Sequence, residues 1–133
     1  MKEPAPITRR GLWKRVGDRV FLCGTLGAEF DRWQRARAAV SAAEGYAAQM
    51  LGLEEVEKLM DSLEAEARSS LAPGESLSPR RSPGYGDMPL DLSREILETL
   101  DAPRKIGVTL TGSLLLAPSK SVTAISTVLR RGF

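Results

Sequence analysis

The sequence predicts an α+β domain, and three stretches of it do so. Arg19–Leu26 sets Val20, Phe21, Leu22 and Cys23 in one short apolar run closed by Gly24 or Gly27, as in a buried strand. Further on, Val56, Leu59, Met60, Leu63 and Ala67 recur at spacings of three and four, which places them on one face of a helix. In Ile106–Leu110 apolar residues alternate with Gly107 and Thr109, the pattern of a strand with one buried face. With 133 residues, 42% apolar and 27% charged, the chain has the composition of one modest globular domain.

In chain order, residues 1–10 are polar and proline-bearing, and Gly11–Arg19 is basic with Leu12, Trp13 and Val16 at helical spacing. Residues 1–18 are therefore expected to form a basic N-terminal arm, with the domain proper at 19–133. From Glu29 to Arg68 the period is helical, interrupted by Gly45 and Gly52, which gives two helices or one broken helix with Ala36–Ala48 packed closely on a neighbour. Glu54, Glu55, Asp61 and Glu64 read as its solvated face. Residues 69–83, rich in Ser, Pro and Gly, form a connection. A short helix follows, capped by Asp91 or Ser93, apolar at Leu92, Ile96, Leu97 and Leu100, and closed by Pro103. Leu114–Leu116 suggests burial on both sides. There is no internal repeat.

Composition removes several classes of function. The chain has no histidine, so there is no Ser-His or Cys-His nucleophile pair and no His-ligated zinc. The single cysteine, Cys23, rules out an internal disulfide and any multi-cysteine metal site, and its apolar surroundings read as a buried thiol. No window resembles a membrane span or signal peptide, so a cytoplasmic protein with no membrane partner is expected. The net charge of +2 hides an asymmetry, with nine Lys/Arg against four acids in residues 1–37 and seven acids against one lysine in residues 44–66. Basic residues around a lone Trp13 make no nucleic-acid motif, and none is expected to bind.

The stretch Ser78-Pro-Arg-Arg-Ser-Pro-Gly-Tyr-Gly-Asp-Met-Pro-Leu90 carries the strongest sign of a ligand. Three prolines stiffen it, while Gly84 and Gly86 flank Tyr85 and allow close backbone approach. Together with Arg19–Gly27, the acidic helix Gly52–Arg68, Thr109-Leu-Thr-Gly-Ser113 and Pro118-Ser-Lys-Ser-Val122, this loop resembles the activation (reactivation) domain of cobalamin-dependent methionine synthase.

That resemblance implies a mostly antiparallel sheet flanked by helices and a site for S-adenosylmethionine. It also implies cobalamin carried by a partner, a corrinoid-binding domain or protein, and a flavodoxin-like electron donor, the chain assisting reductive methylation of cob(II)alamin. By the same resemblance Arg80, with Arg81 as the alternate, grips the methionine carboxylate. Gly84, Tyr85 and Gly86 meet the adenosine, and Glu57 lies nearest the ammonium group. The competing structural accounts pair Arg80 with an acid of the helix, plug a gap with Tyr85, and use Lys120 to cap a turn near Pro118. Three departures stand out: a short N-terminal portion, Gly112 where the family has glutamate, and Gln49 where relatives carry aspartate. They leave as the alternative a degenerate docking or dimerisation module, a possible homodimer through an exposed sheet edge.

Overall fold

The computed structural model describes residues 4–131. Its elements are β1 (Arg10–Val16), β2 (Arg19–Thr25), α1 (Ala28–Val40), α2 (Ala42–Ser69), β3 (Glu75–Leu77), α3 (Leu92–Leu100), α4 (Ala102–Ile106), β4 (Thr109–Leu110), β5 (Leu116–Ala117) and β6 (Ser121–Arg130). The four strands of the main sheet run in the order β1-β2-β6-β3, antiparallel throughout, and β4 and β5 form a separate small hairpin. The class is α+β, with an antiparallel sheet flanked by helices, as expected.

Both faces of the sheet are covered, and alternation along the strands divides the core between them. Val20, Leu22, Ala124 and Val128 point to α2 and meet Met60, Leu63 and Ala67. Phe21, Cys23 and Ile125 point the other way, to Ile96, Leu97, Leu100, Ala102 and Ile106 of α3 and α4. A third cluster of Leu26, Phe30 and Val56 holds α1 to α2 and takes in Ala5 and Ile7 of the leading segment. Cys23 is fully buried, and desolvation pushes its thiol up to about 12, which makes it inert.

Several expectations are corrected. Residues 10–16 of the expected basic arm form strand β1, paired along its length with β2 across a turn at Gly17. Leu12 and Trp13 pack on opposite faces of the sheet, so the spacing read as helical belongs to a strand buried in part on both sides. Residues 1–3 of the arm lie outside the described residues. The helix break falls at Ser41, whose hydroxyl accepts a hydrogen bond from Glu44 N at 3.1 Å as the N-cap of α2. Gly45 and Gly52 do not break α2. They are contact points, where an added Cβ would lie 2.9 Å from Ala38 and 2.7 Å from both Phe30 and Lys120.

Pro103 does not close α3; left-handed Asp101 does, and Pro103 sits in the first turn of α4, where its missing N–H costs nothing. Ile106 ends α4, leaving only Thr109–Leu110 as strand. Leu114 has φ 64° and Leu115 is 62% exposed, so this run is a turn that leads into the two-residue β5 at Leu116 and not a buried strand.

The two edges of the sheet are tied together at one end. Arg15 of β1 makes a bidentate pair with Glu75 of β3, both bonds 2.8 Å, and Arg130 joins Asp18 at 2.8 Å. Glu75 also accepts from Ala72 N. Hydrogen bonds from Arg15 and the Ala72 amide hold the Glu75 carboxyl down at about 2.

Two outcomes follow. Glu75 has a depressed folded pKa, so its contribution is complete above the ordinary carboxylate range and fades as pH falls toward about 2. Thermal melts of Glu75→Gln are expected to show a lower Tm at neutral pH and a flatter acid limb than the parent. Gly52→Ala forces Phe30 and Lys120 aside and is expected to cost about 1–3 kcal/mol in urea unfolding.

Candidate functional site

Acids four and three residues apart on a helix share one face. Glu57, Asp61 and Glu64 do so on α2, and the loop after β3 brings Arg80 onto them. Its Nη2 lies 2.8 Å from Glu57 and 2.8 Å from Asp61, and its Nη1 lies 2.9 Å from Glu64. The Arg80 side chain is only 17% exposed. Burial works against its charge, but the hydrogen bonds it donates to Asp61, Glu64 and Glu57 outweigh that and raise its pKa. Arg68 also reaches Glu64, at 2.7 Å, so two cations among three anions leave the group one charge negative.

The rest of the loop is fixed by its backbone. Arg81 exchanges two hydrogen bonds of 2.9 Å with Ile125 of β6, and its guanidinium, half exposed, pairs with Asp87, whose carboxyl it lowers. Gly84, at φ 89°, donates to Met88 O at 2.9 Å, and Tyr85 and Met88 close the adjoining turns. Gly84 and Gly86 both take positive φ, so the glycines are required by conformation. Tyr85 is 75% exposed and plugs nothing.

Between this loop, α2, the β4–β5 turn and the start of β6 lies a cleft of about 970 Å³. Glu57, Arg80, Arg81, Tyr85 and Gly86 line it, while Gly84 shapes the loop behind them. Sequence reasoning missed its apolar walls, Leu53, Leu90, Leu114 and Leu115, and its acid Glu64. The seven-residue spacing from Glu57 to Glu64 carried that signal; the leucines of the turn were disguised as a strand. Ser93 and Thr123, whose hydroxyls lie 3.1 Å apart, also line it.

Lys120 does not cap a turn. It is buried between α1 and α2, its Nζ donating to Gln49 Oε1 at 2.7 Å, and Gln34 donates to the same oxygen. Burial lowers the Lys120 pKa, partly opposed by Asp31, which binds Ser119 N and Oγ at 2.9 and 2.8 Å. A neutral amide thus faces a buried ammonium. At Gly112 a Cβ would meet nothing within 4 Å, so that turn has room for a side chain.

The architecture is similar to that of a reactivation domain. The fold matches a crystal structure of the MetH reactivation domain bound to AdoHcy with a TM-score of 0.53 and 19% identity, over 86% of this chain and 40% of that one. The chain thus spans less than half the length of that structure. No family model matches the sequence, and no curated protein matches it.

Because the folded Lys120 pKa is depressed, the unfolded chain binds the extra proton, and this group adds stability as pH rises through the folded pKa toward 10.5. Gln49→Asp supplies the missing carboxylate. It is expected to remove that alkaline rise relative to the parent in pH-resolved chemical denaturation, and an unchanged profile would refute the assignment.

Proposed function

We propose that the chain is an S-adenosylmethionine-binding domain of the reactivation type, serving a cobalamin-dependent methionine synthase or related corrinoid methyltransferase in a cytoplasmic setting. The observation that carries this reading is the cleft, formed by the Arg80–Tyr85 loop and the acidic face of α2 within a fold shared with an AdoHcy-bound domain. Its volume lies within the range of small-molecule sites.

The residues present suit the ligand. Three carboxylates held by Arg80 and Arg68 keep one net negative charge for the ammonium and sulfonium groups, with the half-exposed Glu57 on the lining the nearest free acceptor. Arg80, its fork filled by those carboxylates, fixes them in place. Arg81 has a single, exposed partner and is the freer cation, so it takes the methionine carboxylate. Gly86 allows close backbone approach to the adenosine, and Tyr85 has an unburied ring to lay over it. Bound there, S-adenosylmethionine supplies a methyl group activated by its positive sulfur. The corrinoid comes on a partner and the electron from a flavodoxin-like donor.

Leu53, Tyr85, Leu90 and Leu115 are exposed around the cleft mouth, at 42%, 75%, 42% and 62%. This apolar rim suits a partner that covers the site, and it is the specific observation favouring the second reading, a docking module that has lost the ligand.

Calorimetric titration with S-adenosylmethionine tests the first reading. Micromolar binding, about −8 kcal/mol, is expected, with a loss of tenfold or more in Arg80→Ala and in Arg81→Ala. Absence of heat, together with a complex with a corrinoid protein on gel filtration, would transfer the assignment to the docking module. Binding indifferent to both substitutions would overturn the site.

A further inference from the structure

The outer edge of β1 is an open strand of seven residues. Among the described residues no backbone hydrogen bond crosses it. The opposite edge, β3, has only three residues, and its Glu75 is locked to Arg15 and Arg130. Long unpaired edges invite another strand, and proteins commonly restrict which strand by placing charge there.

The charge on β1 is of one sign. Arg10 and Lys14 are exposed and, among the described residues, carry no ion pair. They lie on the same side of the strand, two places either side of Leu12, which packs on the α3–α4 cluster. The basic helix α4, with Arg104 and Lys105 in its last turn, packs against the same strand. A second copy of β1 would bring Arg10 and Lys14 against their own kind. An acidic segment would meet unpaired cations.

We propose that β1 takes an extended acidic segment of a partner protein as a fifth strand. The ladder fixes the pattern of that segment: an acidic residue opposite Arg10, an apolar one opposite Leu12 and an acidic one opposite Lys14, each separated by one residue. Backbone hydrogen bonds supply the attachment, and the alternate side chains supply the selection. This surface is separate from the cleft and does not depend on its ligand.

The test is fluorescence anisotropy of a labelled TETVTET peptide with the whole chain at low salt. Saturable binding is expected, weakened about tenfold by combined Arg10→Glu and Lys14→Glu substitution, since two attractive cross-strand pairs become repulsive. Methylating alternate peptide amides keeps every charge but removes the ladder donors, and is expected to abolish binding without altering the protein. Hydrogen exchange is expected to slow at the outward amides of 10–16. Equal binding of the methylated peptide, indifference to the charge reversal, or tighter binding of polyuridine RNA than of the peptide would each overturn the proposal.

Discussion

The cleft depends on one guanidinium. The loop from Ser78 to Leu90 has three prolines and buries little beyond Pro83 and part of Met88, so packing alone does not hold it against the domain. Arg80 does, by reaching Glu57, Asp61 and Glu64 at once. The dependence is mutual, since three carboxylates on neighbouring turns repel one another without a cation between them. Arg81 then fastens the next residue to β6 through the backbone. A charged contact and hydrogen-bond pairs to β6 at Ser78 and Arg81 thereby position a polar loop over an apolar floor.

Beneath the loop, the long helix α2 has two duties. One stripe, from Ala48 through Val56, Met60 and Leu63 to Ala67, is buried in the domain. A neighbouring stripe carries Leu53 and the carboxylates of the cleft. At about 42 Å, α2 is long enough to do both, and close contacts at Gly45 and Gly52 set its distance from α1 and Phe30. Charge at the ligand wall is thus held by the same element whose burial stabilises the sheet.

Much of this was legible in the residues. β2, α2 and α3 announce themselves because each concentrates apolar side chains in a dense run or a sustained helical period. β1 did not, since a strand packed partly on both faces and basic at its edge shows no clean alternation. β3 has three residues and owes its conformation to β6. β6 itself is rich in Val, Ile and Thr, a strand composition, but the leucines at 114–116 form the more conspicuous apolar run. In the site, the loop stood out by its prolines, glycines and arginines. Which acids Arg80 meets depends on how the loop folds back, and no local pattern contains that.

The strand order has a further consequence. β6 lies between β2 and β3, so the middle of the sheet joins segments about a hundred residues apart, while the cleft loop runs exposed between them. A single proteolytic nick beside Tyr85 would leave two fragments, one with β1, β2, β3 and the long helix, the other with α3, α4 and β6. Neither has a complete sheet, and each offers the other the surface it lacks. The chain is built as two complementary halves sharing one central seam, a natural place at which to split it and have it reassemble.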